Sequence, residues 1–280
     1  MAENGLKVAF QGEVGAYSEE ASLNFFGPNI STLPCRTLTE VFGAVDRGDA
    51  KYGLVPVENS IEGSVFQTYD LLLQSNLMIW GETVLKVSHC LISKEKDIGS
   101  VKEVYSHPQA LGQCRKFLER LGCVVIASYD TAGSVKVLKE KDLPNAAAIA
   151  SERAALVYGM NILARNIETD PHNYTRFLVI ALEDHPKTGV DKTSIIFSTK
   201  HVPSALYKAL EPFARRDINL TKIESRPIVG KPWEYNFYLD FEGHRMEGKV
   251  KDALGELEVN STFLKVLGSY PKAKEFAVRS

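Results

Sequence analysis

No stretch of this 280-residue chain approaches the roughly 18 consecutive apolar residues that a membrane-spanning helix needs, and no basic segment precedes a hydrophobic one at its start. A membrane or exported protein is therefore not expected, and the expected location is the cytoplasm. Excess positive charge is missing too: 33 Lys and Arg stand against 35 Asp and Glu, which excludes the basic surface that a nucleic-acid partner requires. Cys35, Cys90, Cys114 and Cys123 form no CxxC pair, and the six histidines show no HxxxH spacing. Neither disulfides nor a metal site is expected. The chain also lacks a GxGxxG run, low-complexity tracts and any repeat of roughly 20–50 residues.

What remains is a globular composition, 44% hydrophobic and 24% charged, long enough for two domains. Short apolar runs alternate with segments of helical period, the pattern of an α/β protein. "LKVAF" reads as a first strand, Gly12 and Gly15 as a tight turn, and Ser18 as the cap of a helix with Glu19 and Glu20 in its first turn. "KYGLVPV" (51–57) is a strand leading through polar "ENS" to a helix from about Ser64. "EVYSHP" closes another strand, Pro108 opens a helix that runs to Gly122, and "CVVIAS", "DTAGSVKVLKE", "AAAIA" and "SERAALVYG" continue the alternation, with Thr131 and Ser151 as caps. The sheet is expected to be largely parallel. Polar "EDHPKTGVDK" (183–192) reads as a linker, and the remainder spells βαββαβ, the order of a ferredoxin-like module.

In open α/β sheets, ligands gather at the carboxyl ends of strands, where helix N-termini present free N–H groups. That rule selects Gly12 to Ser18, Glu58-Asn59-Ser60, Ser106-His107, Asp130-Thr131 and Thr175-Arg176, a set suited to an anionic ligand. Each also has a plain reading. Asn59, Ser60, Ser106 and Thr131 serve equally as caps, Gln113 as a solvated residue on a polar helix face, and Cys114 as core. Arg176 is harder to set aside. In an extended "NYTRFLVI" it shares a face with Leu178 and Ile180, so it requires either a protein carboxylate or a bound anion.

Taken together, "FQGEVGAYS" (10–18), "VPVENSIEGSV" (55–65), "YSHPQALGQC" (105–114), "DTAGS" (130–134), "NYTRF" (173–177), "SALYKAL" (204–210) and "NLTKIESRP" (219–227) resemble the prephenate dehydratase family in its monofunctional form with a C-terminal ACT domain. The resemblance covers nearly the whole chain. It implies a two-lobed catalytic domain like a type II periplasmic binding protein over 1–186, with crossings near Thr83 and Ile167, followed by an ACT domain over 187–280. With no room for a chorismate mutase segment ahead of Lys7, the single-function form is expected. The implied reaction is loss of water and carbon dioxide from prephenate to give phenylpyruvate, without metal or organic cofactor.

The resemblance also distributes roles. Thr175 is the expected hydroxyl donor to the leaving oxygen, and Arg176 the expected partner of a substrate carboxylate or of a neighbouring loop. Asn59, Ser60, Ser106, Gln113 and Thr131 are expected to orient the substrate, with Glu58 as a supporting acceptor. An L-phenylalanine effector is expected at Ser204, Ala205, Leu206, Asn219, Leu220, Glu224, Ser225, Arg226 and Pro227, between ACT domains paired in a homodimer or homotetramer. "ESRP" matches the family's second effector motif, whereas Ser204 and Tyr207 depart from the usual GALV of the first. Arogenate is the rival substrate. A solute-binding protein or a non-catalytic amino-acid sensor would use the same architecture.

Overall fold

The computed structural model describes residues 5–273. The first four residues and the last seven, which belong to the expected C-terminal domain, lie outside them. In chain order, β1 (Lys7–Gln11), α1 (Tyr17–Phe26), β2 (Ser31–Cys35), α2 (Leu38–Asp46) and β3 (Tyr52–Asn59) are followed by the two-residue β4 (Gly63–Ser64) and α3 (Phe66–Gln74). Next come β5 (Met78–Lys86), β6 (Cys90–Ser93), β7 (Glu103–Ser106), α4 (Pro108–Gln113), α5 (Arg115–Leu121), β8 (Val124–Ala127), α6 (Thr131–Lys141), β9 (Ala146–Ala150), α7 (Glu152–Tyr158) and β10 (Asn161–Arg165). The chain returns through β11 (Tyr174–Ala181) and ends with β12 (Asp191–Ser198), α8 (Ala205–Ala214), β13 (Leu220–Pro227), β14 (Tyr235–Glu242), α9 (Gly248–Asn260) and β15 (Phe263–Pro271).

Three sheets result, ordered β2-β1-β3-β11-β5 with β4 on β3, β10-β6-β9-β7-β8, and β13-β14-β12-β15. By contacts the chain groups into two units, one running to Val65 and resuming over Val84–Phe177, the other comprising Phe66–Thr83 and everything from Leu178. The sheets are mixed rather than largely parallel. β1 pairs in parallel with β2 and β3, and β7 with β8 and β9, but β6 lies antiparallel to both β9 and β10. The physical reason is the route: β6 enters this sheet from β5 of the first one, and no single strand–helix–strand crossover joins it to β9 or β10, so nothing obliges it to run parallel to them. Thr83, near which the first crossing is expected, lies inside β5, and the chain leaves that strand at Val87.

Within the first unit, the two lobes share a core. Phe10 and Ala16 from one pack with Cys90, Ile92, Ala132, Val135 and Ala146, Ala148 and Ala150 of β9 from the other. β9, "AAAIA", is fully buried because only small side chains let elements close on both faces of a central strand. Gly15 marks the closest approach. Its φ of +95° suits glycine, and a Cβ there would lie 2.8 Å from the Ala154 Cα. Ser151 caps α7 as expected and also donates from Oγ to the Gly15 carbonyl at 2.6 Å. Across the same seam Arg153 reaches the buried Glu19 at 2.8 Å. Burial works to raise the Glu19 pKa, but Arg153, the Gly15 N–H and Thr32 hold it below the ordinary value.

In the second unit the antiparallel sheet carries α8 and α9 on one face over Ile195, Phe197, Leu239 and Phe241. The opposite face meets α3: Tyr238 donates to the Tyr69 carbonyl, and the Lys265 ammonium bonds the carbonyls of Leu72, Leu73 and Ser75 at that helix's C-terminal end. A cation is favoured there because those carbonyls have no intrahelical partner and carry the negative end of the dipole. The end of the expected linker is structured. Asp191 and Lys192 already belong to β12 and are buried, Asp191 accepting from Thr188 and Gly189, and Lys192 paired with buried Glu82 at 3.1 Å. Replacing Lys192 by Met removes the ammonium that the buried Glu82 carboxylate bonds at 3.1 Å. Denaturant unfolding is expected to show a loss of about 3–5 kcal/mol, and an unchanged midpoint would refute a structural role for the pair.

Candidate active site

The carboxyl end of β3 and the amino end of β11 meet side by side, and backbone bonds define their meeting. Ser60 N donates to the Tyr174 carbonyl at 2.8 Å, and Tyr174 N to Ser60 Oγ at 2.9 Å. Ser60 Oγ in turn donates to the His172 carbonyl at 2.7 Å. Its single hydroxyl hydrogen is thus committed to backbone rather than to a ligand. Asn59 is buried beside it. Its Oδ1 accepts from the N–H groups of Ile61 and Glu62, both at 3.0 Å, and its Nδ2 faces Asn173 Oδ1 (2.8 Å), Thr175 Oγ1 (2.9 Å) and the Tyr174 carbonyl (3.2 Å).

That arrangement determines what Thr175 can do. Its oxygen accepts from Asn59, and among the described residues no acceptor takes its hydroxyl hydrogen, so the hydroxyl keeps a proton to donate outward. Arg176, the next residue, is half-buried at the mouth of a strand whose remaining residues, Phe177 to Ala181, are all buried.

Gln113 joins this cluster, which the amphipathic reading of its helix did not foresee. The helix expected from Pro108 to Gly122 is broken at Cys114 (φ −99°, ψ 14°) into α4 and α5. The break frees the Gln113 carbonyl, which accepts from Thr169 N at 2.8 Å, while the side-chain Oε1 meets Asn173 Nδ2 at 2.8 Å and His89 Nε2 at 2.9 Å. His89 Nδ1 lies 2.8 Å from Tyr17 Oη. Burial lowers the His89 pKa, against opposing effects of the Gln113 bond and of Glu168, and burial raises that of Tyr17 well above its ordinary value, with Cys90 and Cys114 adding.

The remaining candidates lie elsewhere. Thr131 lines a cavity of about 630 Å³ between the lobes, with Gly12, Glu13, Tyr17, Arg36, His107 and Asp130 among its other walls. Thr131 is not the cap of α6, since that place is taken by Asp130, whose Oδ1 accepts from Gly133 N at 2.6 Å. Nor does Ser18 cap α1, which begins at Tyr17 behind Ala16. Glu13 reaches across the cavity to Lys136 at 3.0 Å and Tyr129 at 3.3 Å. Ser106 is fully buried and donates to the Ile149 carbonyl at 2.7 Å, which holds β7 to β9 and leaves no hydroxyl hydrogen for a ligand. Glu58 is half-buried in β3, opposite Ser64 of β4.

Two participants, Asn173 and His89, were absent from the sequence-derived list, and Tyr17 entered it only as part of the Gly12 to Ser18 stretch, with no role of its own. Asn173 and Tyr17 stand inside the motifs "NYTRF" and "FQGEVGAYS", but a lone histidine in "KVSHC" carries no local signal.

The effector candidates divide. β12 and β13 both run antiparallel to β14, so Glu224 to Pro227 share a sheet end with the start of α8 at Ser204, Ala205 and Leu206, whereas Asn219 and Leu220 lie at the opposite end. Arg226 bonds Asp70 at 3.1 Å and covers the Phe66 ring. Ser204 holds φ at +65°, a conformation in which the glycine of the usual motif is unstrained and serine is not.

Asp130 offers a test of the cavity's electrostatics. Burial raises its pKa and Glu13 adds to the effect, while the Gly133 N–H opposes both. A carboxyl with a raised folded-state pKa favours folding below its unfolded value of roughly 3.9, and the contribution is lost as pH rises through the folded value. Asp130→Asn keeps the capping oxygen. It is expected to stabilise the chain at pH 7 and to lose that advantage toward pH 4 in thermal unfolding; a variant less stable at pH 7 would overturn the assignment.

The family model described as prephenate dehydratase matches residues 8–185. A bifunctional chorismate mutase/prephenate dehydratase of Aquifex aeolicus is 50% identical over 273 residues, 97% of this chain and 75% of the relative. Arogenate dehydratase/prephenate dehydratase 2 of Arabidopsis thaliana is 46% identical over 95% of this chain and 73% of its own. The solved prephenate dehydratase of Arthrobacter aurescens in complex with L-Phe superposes with a TM-score of 0.87 at 31% identity, over 95% of this chain and 90% of that one. A structure described as GqqA, a novel type of quorum quenching acylases, gives the same TM-score at 34% identity, over 95% and 97%. With a family model matching well over half its length, relatives at 40–50% identity, and a two-lobed α/β fold joined to a ferredoxin-like module, this chain belongs to the prephenate dehydratase family.

Proposed function

We propose that this chain converts prephenate to phenylpyruvate, with Thr175 as the hydroxyl that donates to the departing oxygen. One observation carries the reading: Asn59 Nδ2 donates into Thr175 Oγ1 and leaves the threonine hydrogen unspent. The chemistry asks for such a donor. The bond to the ring carboxylate breaks as carbon dioxide leaves, its electron pair enters the ring, and the ring C–OH bond breaks as the ring becomes aromatic. Hydroxide leaves as water once a proton is supplied. The substrate dianion and one proton give phenylpyruvate, carbon dioxide and water. An unassisted threonine is far too weak an acid to ionise, so Thr175 acts as a polarised hydrogen-bond donor in the transition state.

Arg176 is the proposed partner of a substrate carboxylate, and Thr131 and the cavity between the lobes the proposed seat of its other polar groups. Asn59, Gln113, Ser60 and Ser106 act by holding those groups in place, and Glu58 supports the end of β3. Acyl transfer is less well served, because burial raises the thiol pKa of Cys90 to about 11 and that of Cys114 higher still, so neither supplies a thiolate at neutral pH.

The catalytic domain is taken as 1–186 and the ACT domain as 187–280. L-phenylalanine is the proposed inhibitor, bound near Ser204–Leu206 and Glu224–Pro227 in a homodimer or homotetramer paired through the ACT domains. The strain at Ser204 is the feature of this chain that weakens that site. No helix among the described residues is long and apolar enough to cross a membrane, and the cytoplasm is the proposed location. Arogenate is the second reading, favoured by the Arabidopsis relative that carries both names.

Turnover of the purified full chain on prephenate and on arogenate, each with and without phenylalanine, tests the substrate. Prephenate preference with inhibition is expected; arogenate preference would move the substrate assignment and keep the site. Thr175→Ala is expected to lower kcat by about 10²- to 10⁴-fold, the range for loss of a positioned proton donor, while Thr175→Ser keeps the hydroxyl and most of the rate. Full turnover by Thr175→Ala would remove the proposed donor.

A further inference from the structure

One buried titratable side chain has no part in the mechanism so far. His89 is 2% exposed, yet both ring nitrogens are in hydrogen-bond contact, Nδ1 with Tyr17 and Nε2 with Gln113. It terminates an unbroken series of side chains that ends at Thr175: His89, Gln113, Asn173, Asn59, Thr175, with successive contacts of 2.9, 2.8, 2.8 and 2.9 Å.

The direction of donation along this series follows from its fixed end, without any hydrogen being located. The N–H groups of Ile61 and Glu62 can only donate, so the Asn59 atom facing them is oxygen and the atom facing Asn173 and Thr175 is the amide nitrogen. Asn173 therefore presents Oδ1 to Asn59 and Nδ2 to Gln113, and Gln113 presents Oε1 to both Asn173 and His89. An acceptor oxygen 2.9 Å from His89 Nε2 requires that nitrogen to carry a hydrogen. Nδ1 then carries the ring's lone pair and faces Tyr17 Oη at 2.8 Å, whose single hydrogen it shares with the Ser88 carbonyl 2.9 Å from that oxygen.

We propose that His89 is a positioning residue for the elimination: as the Nε2–H imidazole it locks the Gln113 amide, and through Asn173 and Asn59 it aims the Thr175 hydroxyl hydrogen at the leaving oxygen. The proposal rests on Thr175 being the donor. His89 itself does not transfer the proton, since a chain of three amides holds direction but cannot pass a proton along. What it prevents is an inverted Gln113, which would set an NH₂ group against Asn173 Nδ2 and loosen Asn173 from Asn59. Small misplacement of a reacting group is costly, about a hundredfold in rate for 1 Å.

Two variants separate positioning from simple packing. In His89→Gln the amide nitrogen takes the place of Nε2 and still donates to Gln113, whereas in His89→Asn the shorter side chain replaces only the Nδ1 side. Assayed as purified full chains on prephenate, His89→Asn is expected to lose about 10- to 100-fold in kcat with KM changed by less than about threefold, and His89→Gln to regain most of that loss. Parallel losses in both variants, tracking their unfolding midpoints, would overturn the proposal. So would ¹⁵N spectra of the unliganded wild type at pH 7 showing an Nδ1–H or doubly protonated ring at His89 in place of Nε2–H.

A double-mutant cycle separates this idea from the reading beneath it. In the Thr175→Ala background, His89→Asn should cost nothing further in kcat, because there is no hydroxyl left to aim. A full additive loss would sink the role of His89 while leaving Thr175 as donor. A fully active Thr175→Ala would instead sink the donor itself.

Discussion

The two backbone N–H groups that hold Asn59 Oδ1 are the constraint on which the site depends. A side-chain amide buried away from water could adopt either of two orientations, and only donors of fixed polarity can choose between them. Ile61 and Glu62 make that choice where β3 ends. Because Asn59, Asn173 and His89 are buried, a wrong orientation would place two donors or two acceptors against each other at a cost of about 1–3 kcal/mol, so the choice propagates to Asn173, Gln113 and Thr175. The hydroxyl at the mouth of β11 is thus left with its hydrogen free by a turn more than 100 residues away in sequence.

The rest of the first unit can be understood as support for that arrangement. Gln113 and His89 belong to one lobe, Asn59 and Thr175 to the other, and the amide series runs through Asn173 on the segment that returns between them. Lobes so connected must hold their spacing for these hydrogen bonds to keep their length. Gly15 against Ala154, the Ser151 bond to the Gly15 carbonyl, the Glu19–Arg153 pair and the shared core around Phe10 and Ala16 provide that rigidity. Ser60 and Ser106, hydroxyls that the motifs would place on a ligand, fasten strand ends to neighbouring backbone instead. Rigid strand ends, rather than loops, therefore carry the proposed chemistry.

Much of this was legible in the residues. Apolar alternation marks most strands of both α/β lobes, and βαββαβ can be read directly from 191–271 because each element there has a clean period and a turn at its end. β2, with Pro34 inside it, and the short β6 and β10 gave too few residues for a period to show. The helix beginning at Pro108 was read as continuous because its apolar spacing does continue; only the competing bond from Thr169 to the Gln113 carbonyl explains the break. The expected caps slipped, by one residue from Thr131 to Asp130, since both accept well and spacing alone does not say which sits before the first turn, and by two from Ser18 to Ala16, which makes no side-chain capping bond.

By itself the sequence determined the fold class, the family and the residues of the "NYTRF" strand, because these follow from local periodicity and from motifs whose order along the chain is preserved in the fold. Tertiary structure alone decided that Gln113 turns inward, that Ser106 is buried with its hydroxyl on the Ile149 carbonyl, that Asn219 and Leu220 stand at the far end of the sheet from Glu224 to Pro227, and that His89 touches the site at all. The reason is the range of the forces involved. Periodicity and capping act within a few residues, whereas the direction of a buried hydrogen bond is set by whichever donor the fold brings within 3 Å, and here those donors come from segments separated by 24 to 116 positions.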